Sequence, residues 1–218
     1  MIYKMVKEGC VLDASATMYP SVLKGFGRCD ENFSLPTSTY FGFVLNGKYE
    51  LQRQGQHYVT LQGGMYFSAP GPLHIKGDGE IIVIERVGYR GLLHVGGPVE
   101  DSGRLCYIDN SNTTIIIPPP RMGDPVFNLL VFPPKVIQTP HIHPTIRLGV
   151  VFEGEGECVM PNQKLPLKPG MAFYLPEGLV HSFNSFDSKL KIIAFHPDSD
   201  TGPTDDSHPM LNRTFTKF

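Results

Sequence analysis

Three histidines carry the most specific chemical signal in this sequence. His141 and His143 stand in Pro140-His141-Ile142-His143-Pro144, and His181 closes the run Pro176-Glu177-Gly178-Leu179-Val180-His181. Histidines spaced i, i+2 on a strand project to one face, so both imidazoles can reach one ion. A lone buried histidine is more often a hydrogen-bonded core residue; these three are read as the expected donor set of a metal site, the alternative being histidines that only pack. Neutral imidazoles leave a divalent ion its full charge, and three of them leave coordination positions open, which marks a catalytic rather than a structural site. Imidazole suits several transition metals, so the ligand set leaves Fe, Zn, Ni, Mn and Cu open.

Arg147 is the second chemical signal. On a regular strand it shares a face with His141 and His143. A guanidinium stays protonated and offers no lone pair, so it cannot ligate a cation. Facing inward, it would put a second positive centre beside the metal and recruit a bridging anion, such as a substrate carboxylate, enolate or phosphate. Turned outward by a bulge, or neutralised by Glu153, Glu157 or another acid, it is structural instead.

These residues must be held by short strands. Val150 to Phe152 is an apolar run ending in the Gly-rich turn Glu153-Gly154-Glu155-Gly156, and Lys168-Pro169-Gly170 turns the chain into a second strand, Met171 to Leu175. The spacing resembles the cupin superfamily. In its first motif, G-x5-H-x-H-x3,4-E-x6-G, His141, His143 and Gly154 fall in register. In its second, G-x5-P-x-G-x2-H-x3-N, Gly170, Pro176, Gly178 and His181 do. Lys135 stands at the first glycine, Arg147 at the glutamate that is a usual fourth metal ligand, and Asn184 one residue before the final asparagine.

An internal repeat extends the resemblance. Phe43-Val44-Leu45-Asn46-Gly47 parallels Val150-Val151-Phe152-Glu153-Gly154, and Gly64 to Pro70 parallels Gly170 to Pro176, with one residue of difference between the landmarks. The chain thus resembles a quercetinase-like bicupin, which implies an all-β fold of two tandem jelly-roll-like barrels. The expected domains are residues 1–105, an N-terminal barrel with a degenerate metal site, and residues 106–218, a C-terminal barrel with the metal site and a tail. In the first copy Ser34, Pro36 and Tyr40 occupy the places of His141, His143 and Arg147. Ser34 and Pro36 are poor transition-metal ligands, and His74 alone cannot hold an ion. The first barrel is expected to serve as scaffold or to hold an apolar ligand. His57 and His94 are isolated in sequence and are read as structural.

Composition sets the outer limits. The 218 residues are 41% hydrophobic with formal net charge −2, which suits globular β domains and, without a basic block, no nucleic-acid partner. No apolar run reaches the roughly 20 residues that cross a membrane. No signal-peptide core follows Met1, so a cytoplasmic protein is expected. The cysteines, Cys10, Cys29, Cys106 and Cys158, show no CxxC spacing and are expected to be reduced. Between the barrels, Thr113 to Ile117 and Phe127 to Phe132 read as strands. Phe132, Ile146, Phe173 and Phe183 suggest a partly hydrophobic mouth, and His196, ending the run Ile192 to Phe195, could face the barrel interior. After His196 the chain is polar and turn-rich. Its aspartates lack EF-hand spacing, and Met210 to Phe215 could dock on a barrel.

Two functions follow from the resemblance. One is a metal-dependent enzyme, a dioxygenase or an isomerase, acting on a small and anionic substrate with Arg147 as the catalytic contact. The other is a non-catalytic ligand-binding sensor or scaffold. A homodimer paired through edge strands fits either.

Overall fold

The computed structural model of the chain describes residues 1–198. The tail expected beyond Asp198, with its docking residues Met210 to Phe215, lies outside the described residues. Seventeen strands and two short 3-10 turns make up the described chain, with no α-helix among them. Among the described residues no helix is long and apolar enough to cross a membrane.

The first half contributes β1 (Ile2–Met5), β2 (Cys10–Ala14), β3 (Ser21–Phe33), β4 (Thr39–Arg53), β5 (Gln56–Gln62), β6 (Tyr66–Pro70), β7 (Leu73–Arg86) and β8 (His94–Gly96). Strands β2 to β8 form one strongly bent sheet in the order β2-β3-β7-β4-β6-β8, with β5 paired to β4. The long strands β3, β4 and β7 each serve two walls of a barrel, so each must turn a corner. Bulges between Phe26 and Arg28 and between Val44 and Asn46 supply the bend. At the corner Gly47 faces Gly79 with both φ positive, and a Cβ on Gly47 would meet the Asp78 carbonyl at 2.1 Å. Only glycine fits there.

The second half contributes β9 (Leu105–Cys106), β10 (Asn112–Ile117), β11 (Val126–Phe132), β12 (Arg147–Glu153), β13 (Gly156–Met160), β14 (Gln163–Leu167), β15 (Met171–Leu175), β16 (Ser182–Ser185) and β17 (Leu190–His196). One wall is the sheet β1-β15-β12-β17-β11-β10-β9, and the other is β14-β13-β16. The architecture is all-β, two tandem jelly-roll-like barrels. One strand crosses between them: β1, which precedes the first barrel, caps β15 of the second, while β8 caps β6 within its own half.

Alternation sorts the side chains into three cores. Cys29, Tyr40, Tyr49, Leu61 and Phe67 fill the first barrel. Phe132, Val151, Leu167, Phe173 and Ile192 fill the second. Phe41, Phe43, Ile84, Phe127, Leu148 and Phe195 form a third core where the two large sheets meet. In that third core Phe41 lies 4.9 Å from Phe195 and 6.3 Å from Phe127, ring to ring. Each buried phenylalanine contributes about 1.5–3 kcal/mol, so the contact between the barrels is itself a hydrophobic core.

The sequence repeat is a structural repeat. Gly42 pairs with Phe67 and Val83, and Gly149 pairs with Phe173 and Ala194, so the same three-strand rung recurs in each barrel. Each glycine leaves room for the aromatic ring beside it. A Cβ on Gly149 would meet the Ile193 carbonyl at 2.3 Å and the Phe173 ring at 2.6 Å.

The connection between barrels is pinned by charge. Asp101 accepts bonds from Lys189 and Lys191, and buried Lys191 reaches Asp101 and Glu153 at 3.0 Å each. The Lys189 and Lys191 ammonium groups hold the Asp101 carboxyl down at about 2. The cysteines are all unpaired.

Two outcomes are expected. Gly149→Ala should destabilise the chain by roughly 1–3 kcal/mol in urea unfolding, because the carbonyl it meets belongs to a central strand. The Asp101 carboxylate has a depressed folded pKa, so its contribution is present above the ordinary aspartate range and fades as pH falls to about 2. Asp101→Asn should therefore flatten the loss of melting temperature over that acid range. An unchanged slope would remove Asp101 from the clamp.

Candidate metal centre

The site is built by backbone pairing before any side chain enters. His141 and His181 form an isolated antiparallel bridge, each N–H donating to the other's carbonyl at 3.0 Å. Paired residues in such a bridge present their side chains on the same face. The third residue is tied in by the turn after β15. Gly178, at φ +68°, donates its N–H to the His143 carbonyl at 2.9 Å. Ile142, between the first two histidines, points away and is 59% exposed.

The rings converge. His141, His143 and His181 lie 4.7–5.2 Å apart by ring centroid, and one nitrogen of each falls within 4.8 Å of the others. Two rings are oriented from behind. His141 Nδ1 donates to the Thr139 carbonyl and His181 Nδ1 to the Leu179 carbonyl, both at 2.9 Å. A carbonyl only accepts, so each Nδ1 carries the proton and each Nε2 holds its lone pair toward the centre. His181 Nε2 is buried with no hydrogen-bond partner. Burial, and after it the nearby Arg147 charge, pushes His143 down to about 2. Burial pushes His181 down to about 4, against the pull of the Leu179 carbonyl. Neutral, convergent, pre-oriented imidazoles with an orphaned buried nitrogen fit a divalent transition ion. Among the described residues this is the one group of three such donors.

Arg147 faces inward. It is 3% exposed and lines the same cavity as His143 and His181. The segment before it is not a regular strand: the chain bends at Pro144 and Thr145, and β12 begins only at Arg147. One guanidinium nitrogen, Nη1, donates to the Thr145 carbonyl at 3.1 Å, to Thr145 Oγ1 at 2.9 Å and to the Ile146 carbonyl at 2.8 Å. Thr145 Oγ1 in turn donates to Asp198 at 2.7 Å. Glu153 and Glu157 are engaged elsewhere, with Lys191 and Lys164.

The cavity is narrow. About 20 Å³ is open to the centre of a water molecule, room for one or two waters. Leu130, Phe173, Leu175, Phe183 and Ala194 form its apolar wall, and Tyr107, His143, Arg147, His181 and His196 its polar one. Of the four aromatic and aliphatic residues expected at the mouth, Phe173 and Phe183 line it. Phe132 packs behind Phe183, edge-on at 6.1 Å, and Ile146 belongs to the core between the barrels. His196 does face the interior, where Asn128 Nδ2 meets its Nε2 at 3.3 Å. Tyr107 carries no sequence signal, because it arrives from the connection between barrels. In the same turn Asp109 and Asn110 both adopt positive φ, and Asp109 accepts the N–H of Thr139, the residue whose carbonyl orients His141.

In the first barrel Ser34 and Pro36 are exposed, and Tyr40 takes the place of Arg147 with its ring in the core, 5.1 Å from Phe33. His74 sits at the rim, bonded to Asp30 at 2.8 Å and Gln52 at 3.3 Å. His57 bonds Thr60, and His94 stacks on Tyr66.

Residues 128–196 match the family model of the cupin domain. No curated protein matches the chain. Among solved structures, protein Ylba from E. coli superposes with TM-score 0.66 at 15% identity, over 87% of this chain and 82% of that one. The putative glyoxylate induced protein from Pseudomonas aeruginosa gives 0.66 at 17%, over 87% and 79%. Oxalate decarboxylase from Bacillus subtilis, described with Mn(II) centres, gives 0.59 at 9%, over 91% and 77%. Residues 128–196, the histidine-bearing part of the chain, therefore match a cupin domain, and the two-barrel fold around it is shared with these solved structures over most of the chain.

Proposed function

We propose that His141, His143 and His181 hold a divalent transition metal and that the chain is a metal-dependent enzyme acting on a small carboxylate-bearing substrate. The carrying observation is the inward Arg147 beside three convergent imidazoles. A bound ion would supply Lewis-acid polarisation of a substrate oxygen. The chain's own residues do the rest. Arg147 receives the carboxylate by charge-assisted hydrogen bonds, with its guanidinium aimed through Nη1 contacts to Thr145 and Ile146. Phe173, Leu175 and Phe183 exclude water and keep the local dielectric low, which strengthens that contact. The narrow cavity restricts the ligand to a few heavy atoms. Two of the structural relatives have small acids in their names, glyoxylate and oxalate, which supports a substrate of that class.

The reaction is of the oxygenase or isomerase type, with the homodimer, if formed, a matter of edge strands rather than of the site. A second reading, a ligand-binding sensor, is supported by the same tight cavity, which encloses a ligand with little room to spare for a co-reactant. Consumption of a bound acid on prolonged incubation decides for the enzyme; stable binding without conversion decides for the sensor.

Metal analysis of the purified chain should give about one divalent ion per chain. Alanine at His141, His143 or His181 should abolish it, and His74→Ala should leave it intact. Stoichiometric metal retained in His141→Ala would rule out this centre.

Arg147→Gln should weaken carboxylate binding by roughly 10- to 100-fold, the equivalent of about 1.5–3 kcal/mol for a hydrogen bond to a charged group, with metal content nearly unchanged. Arg147→Glu should tighten the metal by adding a fourth ligand and lose the anion. Equal carboxylate affinity in the wild type and Arg147→Gln would return Arg147 to a structural role.

A further inference from the structure

The rings of His141 and His181 are oriented alike, but from different sources. His181 takes its direction locally. The Leu179 carbonyl behind it belongs to the turn after β15, which the Leu179 N–H closes on the Pro176 carbonyl at 3.3 Å. His141 takes its direction from Thr139, and Thr139 is not held by its own barrel. Its neighbours are. The Val136 N–H donates to Ser185 Oγ at 2.9 Å, the Gln138 N–H donates to Asn184 Oδ1 at 3.1 Å, and Gln138 Oε1 accepts the Phe183 N–H at 3.0 Å. His141 itself is in the bridge with His181. Between these fixed points the Thr139 N–H goes to Asp109, and Pro140 has no N–H to give.

Asp109 belongs to the connection between the barrels. β9 and β10 pair as a hairpin, and the Tyr107 N–H closes its loop on the Ser111 carbonyl at 2.9 Å. At the tip, Asp109 and Asn110 stand one after the other in left-handed backbone, at φ +52° and +64°. Aspartate and asparagine enter that region more readily than most side chains, but as single residues, and a consecutive pair persists only where its surroundings hold it. The conformation delivers the carboxylate to one residue. Asp109 takes both the N–H and the hydroxyl of Thr139, and these two bonds hold its carboxyl below the usual aspartate range. Asp109 is exposed, so it is not kept there for core packing. In the same loop Tyr107 lines the histidine cavity.

We propose that Asp109 is a positioning residue for the metal centre: by anchoring Thr139 it holds the carbonyl that sets the His141 tautomer, so the connection between the barrels governs one of the three ligands. This rests on the metal reading above. The link is short. Anchoring the N–H and the hydroxyl of Thr139 leaves its backbone little freedom to turn the carbonyl away. With that carbonyl in place, His141 Nδ1 keeps the proton and Nε2 keeps its lone pair toward the centre. Without it, the neutral imidazole divides between two tautomers, and the one protonated at Nε2 aims an N–H where the ion would sit. His181, oriented by its own turn, has no such dependence. The site therefore has one ligand set locally and one set from the interdomain hairpin.

The test compares the full wild-type chain with Asp109→Gly and Asp109→Asn. Glycine accepts the left-handed backbone and removes only the carboxylate, whereas asparagine keeps an oxygen that can take the Thr139 N–H. In the metal-free chain, the nitrogen and carbon NMR shifts of the imidazoles report each tautomer, with His181 as the internal control. Asp109→Gly should convert His141 from a single tautomer to a mixture and leave His181 unchanged. It should also weaken Zn(II) binding, measured by competition with a chromophoric chelator, about tenfold. Asp109→Asn should restore most of both. Thermal melts identify variants that fold, and Asp109→Ala gives the same two readouts if Asp109→Gly does not. An unchanged His141 tautomer in Asp109→Gly, a change shared equally by His181, or Zn(II) affinity equal to that of the wild type overturns the proposal and leaves the metal reading standing. A wild-type chain that binds no Zn(II) overturns both.

Discussion

The second barrel depends on one pair of backbone hydrogen bonds. His141 and His181 lie far apart in sequence, on segments that are otherwise irregular, and they exchange N–H···O bonds at 3.0 Å in both directions. That bridge fixes two rings on one face and sets their separation. It also explains the punctuation around them. Gly178 turns with a left-handed φ so that its N–H can reach the His143 carbonyl, bringing the third histidine into the same frame. The carbonyls of Thr139 and Leu179 then set the tautomers of His141 and His181 from behind. Three levels of backbone bonding position the donors, and the side chains add only their lone pairs.

This frame is stiff because the barrels are not independent. β1 completes the sheet that carries Arg147 and the cavity's aromatic wall, although it precedes the first barrel in the chain. The third core, with Phe41 against Phe127 and Phe195, presses the first barrel onto β11 and β17, the strands that bear Asn128 and His196. The connection between barrels returns to the site through Tyr107 and Asp109. The first barrel therefore buttresses the strands around the three histidines without placing a histidine among them.

What the sequence made legible was what short-range geometry dictates. The spacing of His141, His143 and His181 with Gly154, Gly170 and Gly178 follows from strand period and turn chemistry, and those are local. The repeat was legible for the same reason, since Gly42 and Gly149 each leave space for an aromatic ring on the next strand. The direction of Arg147 was not legible by strand alternation alone. The chain bends at Thr145, and the side chain reaches the cavity from the start of a new strand, anchored to carbonyls that the bend exposes. Tyr107, Asp109 and Asp198 were invisible because their contacts with the site are long-range. Phe132 and Ile146 show the converse limit: an apolar residue near a motif is in a core more often than in a pocket, and which core depends on the register of strands not adjacent in sequence.

The two barrels present nearly the same backbone with opposite outcomes, and the difference is a matter of polar satisfaction. Where the first barrel has Tyr40 and Glu85, a donor and an acceptor close on each other, and Phe33, Phe67 and Tyr49 fill the space. Where the second has Arg147 and His196, the same rungs carry a cation and an imidazole beside the cavity, and Asn128 Oδ1 and His181 Nε2 are buried without hydrogen-bond partners. Buried polar atoms without partners are costly in a low-dielectric interior. His181 Nε2 is held at a small cavity where an entering ion would meet it, whereas at the matching place of the first barrel Tyr40 packs into the barrel's own core. The arrangement with three histidines and the arrangement without them thus differ in a handful of side chains on a shared set of rungs, so the candidate chemistry resides in those side chains rather than in the fold.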